Sequence, residues 1–235
     1  ALDMMLRTCT LQANMDYASE RECGERFRVA LAVSAPFTAM FANSPFVEGR
    51  PAGLVSARSA TWEEVDPDRC GLPRFAFEGT FSYERYVDWA LTVPMFFVKR
   101  DGRYLAHHAP FAHFLAHGWV DEQGRRHRAT RSDWELHLTT LFPEVRLKPF
   151  VEIRSGDVVP PEFVSAMPAL WKGILYDSEA THAAWELVRD FSYDERLELH
   201  RDVRAPSAIA RRPADCRDQP EIVEDHRPDI EDERL

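Results

Sequence analysis

Glu152 and Arg154 are the sharpest chemical feature of this 235-residue chain. They stand two apart in Val151-Glu152-Ile153-Arg154, so on a strand they share a face, about 6–7 Å apart by strand rise. An acid beside a base on a sheet forms an ordinary cross-strand salt network, the plainer reading of any such pair alone. The chemical reading is a carboxylate that holds Mg²⁺ beside a guanidinium whose forked donors fit a phosphate. Gln12 and Asn14 repeat the spacing. Alone they are solvated or cross-strand hydrogen bonders; with Glu152 and Arg154 they imply two strands of one sheet facing a polar cavity. Arg58, in Val55-Ser56-Ala57-Arg58-Ser59 just before Trp62, is either a solvated loop arginine or a clamp for a substrate carboxylate.

Other candidates carry less. His107-His108 and the i, i+4 pair His113/His117 have metal-binding spacing, but neither has the acidic partner of an H-E-x-x-H motif. They read as surface or helix-end histidines. Ser44 has no G-x-S-x-G context, and no Walker-type or G-x-G-x-x-G loop exists. Bound ATP therefore requires another architecture. Cys9, Cys23, Cys70 and Cys216 form no C-x-x-C pair and read as reduced thiols.

The elements that must position these residues follow from periodicity. Residues 5–17 alternate, with Cys9, Leu11, Ala13, Met15 and Tyr17 on one side and Gln12 and Asn14 on the other, which predicts a half-buried strand. Residues 19–41 read as a helix with a kink at Pro36, and 45–73 as a Gly/Pro-rich loop. A helix over 83–91 precedes a hairpin of 93–99 with 103–106, turned at Asp101-Gly102. A helix over 111–117 ends at Gly118, and 121–131 is a polar loop. Ser132 with Glu135 signals a capping box for a helix through Leu141. Residues 144–154 alternate again, with Pro149 marking an edge or bulge. Helices over 161–176, 178–191 and 193–203 follow, the second capped by Ser178. After Tyr193 no Phe, Trp or Tyr occurs, so 205–235 reads as a disordered acidic tail behind one unit over 1–204.

The chain carries 29 basic and 39 acidic residues, a net charge of −10. That balance argues against nucleic acid, which needs clustered Lys and Arg. No run of about 18 apolar residues exists to span a membrane. With 45% hydrophobic residues there is enough material for a core. The chain opens on Ala1 with strand-like sequence close behind and reads as beginning inside a longer protein.

Several segments stand in one order: residues 7–17, Phe41-Ala42-Asn43-Ser44-Pro45-Phe46, Glu84-Arg85-Tyr86-Val87-Asp88-Trp89-Ala90, Val93-Pro94-Met95-Phe96-Phe97, residues 142–148, Val151-Glu152-Ile153-Arg154 and residues 168–177. Together they resemble the glutamate–cysteine ligases of the plant and proteobacterial type, over about residues 4–194. The resemblance implies an α+β fold like the catalytic domain of glutamine synthetase, here a partial curved antiparallel sheet with helices packed outside. It implies ATP- and Mg²⁺-dependent joining of the glutamate γ-carboxylate to the cysteine amine through γ-glutamyl phosphate, for glutathione or ergothioneine synthesis. It makes Arg154 the catalytic and ATP-phosphate contact, Glu152 and Gln12 metal ligands, and Arg58, Asn14 and Phe96 substrate-binding residues. The implied partners are small molecules in the cytoplasm, with the complete protein a monomer or homodimer. The family's long N-terminal portion, with its acidic metal-binding strand, has no counterpart here. Phe96 stands where plant members have tyrosine, and Ser165 at one regulatory cysteine position. Two other readings stay open: a related carboxylate–amine ligase with another acceptor, and a remnant that binds a partner through an unpaired sheet edge.

Overall fold

The computed structural model describes residues 2–206; the tail expected over 205–235 lies almost wholly outside them. Elements run α1 (Leu2–Arg7), β1 (Thr10–Met15), α2 (Glu20–Ala32), α3 (Ser34–Met40), β2 (Phe46–Val47), β3 (Arg50–Pro51), α4 (Ala57–Glu63), β4 (Cys70–Gly71), α5 (Tyr83–Thr92), β5 (Phe97–Arg100) and β6 (Arg103–Ala106). Then come α6 (Phe111–His117), β7 (Trp119–Val120), β8 (Arg126–His127), α7 (Arg131–Thr139), β9 (Phe142–Pro143), β10 (Val145–Leu147), β11 (Val151–Asp157), α8 (Ala166–Tyr176), α9 (Ser178–Glu186) and α10 (Tyr193–Asp202). Helix and strand are mixed, and the sheets are small. The largest is antiparallel, in the order β1-β11-β10. Of the two-stranded sheets, β4-β9 is parallel and the others antiparallel.

The three-stranded sheet has one apolar face, because side chains alternate along each strand. Ala13, Met15, Val145, Val151 and Ile153 are buried in the main core with Phe27 and Leu31 of α2, Phe37 of α3 and Trp171 and Leu175 of α8. The opposite face carries the polar residues singled out above. A second, smaller core of Met95, Val98, Phe111 and Phe114 holds the β5-β6 hairpin against α6.

Several local expectations change. Residues 2–7 form α1 rather than strand: Leu, Met and Arg favour helix, and alternation starts only beyond them. Cys9 is accordingly exposed. The 19–41 helix divides at Val33, not at Pro36. A proline cannot donate to the carbonyl four residues back and clashes with it; restarting at Ser34 places Pro36 in a first turn. Residues 45–73 contain α4, capped by the Ser56 hydroxyl accepting from Ser59 N–H. The α7 capping box is Thr130 with Asp133, and α9 is capped by Asp177. Residues 144–154 are two strands, not one, with Pro149 in the turn between them.

Gly118 ends α6 at φ +68°, ψ −164°, a region only glycine occupies without strain. A Cβ there would stand 2.5 Å from the His127 carbonyl oxygen. Gly118→Ala should destabilise the protein by about 1–3 kcal/mol. Thermal denaturation reads this as a drop of several degrees; an unchanged midpoint counts against it.

Candidate functional site

β11 is the spine of the site and is buried along its whole length. Val151 and Ile153 enter the core, so Glu152 and Arg154 face the other way. Pairing places Asn14 of β1 and Arg146 of β10 on either side of Glu152. Leu11 pairs with Gly156 and Ala13 with Ile153, so Arg154 and Ser155 together oppose the single residue Gln12. This bulge re-aims Arg154, as bulges beside sites commonly do.

Glu152 is the centre of a cation cluster. Its Oε1 accepts from Arg146 Nε (3.0 Å) and Nη2 (2.7 Å) and from Arg154 Nη1 (2.9 Å). Its Oε2 lies 2.7 Å from Lys148 Nζ. Burial alone would raise the Glu152 carboxyl; Lys148, Arg146 and Arg154 outweigh it and hold the group below its ordinary value. Burial, with the Arg146 charge, lowers the Arg154 guanidinium, while Glu152 restores part of the loss. The Arg154 guanidinium also lies over Trp62 (5.0 Å) and Phe142 (5.6 Å), which fixes its plane.

Arg58 reaches the same strand from α4. Its Nη2 donates to the Arg154 carbonyl at 2.6 Å. Its buried Nε has no hydrogen-bond partner, and burial lowers its affinity for its proton. Arg58 borders a cavity of about 260 Å³ together with Thr8, Ser44, Thr61 and Glu64. Asp157, at the end of β11, accepts from Ser44 Oγ (2.6 Å), Asn43 N–H (2.8 Å) and Ser56 Oγ (2.8 Å). That one carboxylate fastens the Asn43-Ser44 segment and the α4 cap to the sheet, and so sets Arg58 behind Arg154.

Phe96 stands apart from this group. The Arg69 guanidinium, fully buried, lies 3.4 Å from the Phe96 ring centre. Arg69 also donates to Asp66, Thr140 and the Pro94 carbonyl, and its own carbonyl takes the Phe142 N–H. Phe96 thus connects to Arg154 through Arg69 and Phe142.

The structure brings Glu152, Arg154 and Arg58 together and places Asn14 and Gln12 beside them, both exposed. Arg146, Lys148, Asp157 and Arg69 escaped sequence reasoning. Arg146 and Lys148 do lie on the polar side of an alternating segment, but their approach to Glu152 needs the fold-back at Pro149. Asp157 and Arg69 had no motif to mark them.

These residues do not fit a Mg²⁺ site. Hard cations need several oxygen ligands, yet both Glu152 oxygens are taken by cationic side chains. Among the described residues no group of three or more His, Cys, Asp or Glu side chains could hold a metal ion. What the cluster fits is an anion: three cations surround one carboxylate, with Arg58 behind. No described helix is long and apolar enough to cross a membrane.

A family model described as "Glutamate-cysteine ligase family 2 (GCS2)" matches residues 1–226. Among similar proteins, a chloroplastic glutamate–cysteine ligase of Brassica juncea is 45% identical over 203 residues, 86% of this chain and 39% of its own length. The chloroplastic glutamate–cysteine ligase B of Oryza sativa subsp. japonica is 44% identical, with 40% of its length covered. That of Arabidopsis thaliana is 45% identical, with 38% covered. The chain therefore spans about two fifths of the length of these relatives. Their chloroplastic names overturn the cytoplasmic placement expected from the sequence. The match over nearly the whole chain, together with the ordered segments and the cationic sheet face they build, makes this chain a member of glutamate-cysteine ligase family 2.

Proposed function

We propose that this chain supplies the anion-binding face of a glutamate–cysteine ligase, on a sheet of glutamine-synthetase-like type. In the proposed reaction a γ-carboxylate oxygen of glutamate attacks the γ-phosphorus of ATP, and the bond to the ADP oxygen breaks. The cysteine amine nitrogen then attacks the γ-carbon of γ-glutamyl phosphate. Phosphate leaves, and the amine loses a proton. Both steps concentrate negative charge on phosphoryl oxygens, and fixed cations in a dry site stabilise such charge. Arg154 is the group proposed to meet the transferring phosphate, with Arg146 and Lys148 beside it. Arg58 is proposed to hold a glutamate carboxylate, with Asn14 on the rim, and Phe96 to border the cysteine site. Mg²⁺ belongs to the proposal as the companion of ATP phosphates, the usual way it enters such sites, and this chain's residues do not cage it. The product feeds glutathione or ergothioneine synthesis.

The observation that carries this reading is the buried cation set on β10 and β11, held in place by Glu152, Trp62 and Phe142. The test is ADP release from a ligase carrying this sequence, with glutamate and a panel of amines. Cysteine should be the best acceptor; preference for another amine sinks the substrate assignment. Arg58→Lys keeps the charge but loses the fork. It should raise the KM for glutamate about tenfold, by the roughly 1.4 kcal/mol that one charge-assisted bond contributes, with a smaller change in kcat. An unchanged KM refutes the clamp.

A further inference from the structure

We propose that His113 and His117 form a two-imidazole chelate for a late first-row divalent transition-metal ion on the exposed side of α6. The site is independent of the ligase reading, because neither residue belongs to the cation cluster. Composition alone favours a plain surface pair; the geometry points further.

Residues four apart on a helix stack on one face. Here the two imidazole centres are 4.8 Å apart. Metal–nitrogen bonds of about 2.1 Å, plus about 1.1 Å from nitrogen to ring centre, set each ring centre about 3.2 Å from a shared ion. Two such arms, meeting between a right angle and the tetrahedral angle, hold the ring centres about 4.5–5.2 Å apart. The observed spacing falls inside that window, with the ring planes at 54°; chelation requires one nitrogen of each ring to turn toward the shared ion. Both side chains are exposed, and among the described residues neither imidazole makes a hydrogen bond or ion pair that a metal would have to break.

The helix end favours a cation. His117 occupies the last turn of α6, where unpaired carbonyls make the helix end negative. The chain turns away at once, because Gly118 leaves the helix; the groove of about 360 Å³ beyond it is lined by His117, Arg126 and Arg128 but not by His113, so the ion would sit on the open helix face outside that groove. That leaves room for the water ligands that must complete the shell. Imidazole selects Ni²⁺, Cu²⁺ and Zn²⁺ over Mg²⁺, so this site does not compete for the ion that accompanies ATP.

The test is calorimetric titration of the full chain with Ni²⁺ in a large excess of Mg²⁺. Ni²⁺ avoids confusion with Zn²⁺ capture by the exposed Cys9 thiol. One saturable site is expected. His113→Asn and His117→Asn should each weaken it at least tenfold, since each leaves a single imidazole. His108→Asn and Cys9→Ser should leave it unchanged. Both histidines are exposed, so the variants should keep the wild-type circular dichroism. Absence of saturable binding, displacement by Mg²⁺, or unchanged affinity in both histidine variants overturns the proposal. As a second readout, Cu²⁺ electron paramagnetic resonance should show two equatorial imidazole nitrogens in the wild type and one in either variant.

Discussion

Arg154→Ala should lower glutamate-dependent ADP release by about 10³-fold in a ligase carrying this sequence, the magnitude typical of removing a cation that meets transferring phosphoryl charge. The loss should fall on kcat, because the guanidinium acts most on charge that develops during transfer. The fold should stay intact in this variant, and the structure supplies the reason. Glu152 keeps Arg146 and Lys148 when Arg154 is gone, so no carboxylate is stranded. What disappears is the packing of the guanidinium on Trp62 and Phe142, a cost of about 1–2 kcal/mol. Arg154→Lys should recover stability better than turnover, since an ammonium lacks the planar fork. Near wild-type turnover in Arg154→Ala would refute the phosphate role. A collapse of the thermal transition would instead show that the residue acts through the fold.

Glu152→Gln should destabilise the protein by about 3 kcal/mol, in the range found when one partner of a buried ion pair is removed. The amide leaves Arg146 and Arg154, both largely buried, facing each other without a counter-charge. Lys148 is more exposed and relaxes into solvent. The pH dependence has a definite sign. The folded Glu152 carboxyl lies below its ordinary 4.5, so its stabilisation is complete at neutral pH and is lost as pH falls through the folded value. Wild type and variant should therefore converge as the solution is acidified below the ordinary 4.5 and through the lower folded value. Denaturant melts at several pH values measure this. A constant gap across that range would show that Glu152 is not the charged centre of the cluster. If Glu152 instead serves as a metal ligand, as the family resemblance implies, the variant should be stable at neutral pH and the dominant change should appear in the Mg²⁺ titration.

Periodicity alone was enough to place Gln12 and Asn14 on one polar face, Glu152 and Arg154 on another, and the apolar set Ala13, Met15, Val151 and Ile153 opposite them. Alternation is a property of the strand itself, so it is written in the local sequence. The order of motifs was enough for family membership. The helices after Gly156 and the Asp101-Gly102 turn were legible in outline because turn residues and apolar spacing act over a few neighbours, but α8 starts at Ala166 rather than residue 161, α9 is capped by Asp177 rather than Ser178, and the hairpin's first strand starts at Phe97 rather than residue 93.

Tertiary structure alone decided how those faces meet. The fold-back at Pro149 brings Arg146 against Glu152. The bulge opposite Gln12 re-aims Arg154. The Asp157 carboxylate ties Ser44 and Ser56 to β11, and so carries Arg58 on an unforeseen helix to the back of Arg154. Each depends on groups far apart in the chain: more than a hundred residues separate Ser44 or Ser56 from Asp157. Such contacts leave no local period. The lone acid–base pair on one strand is, in the folded protein, a carboxylate surrounded by three cations, because packing brings Arg146 and Lys148 of the preceding segment against it.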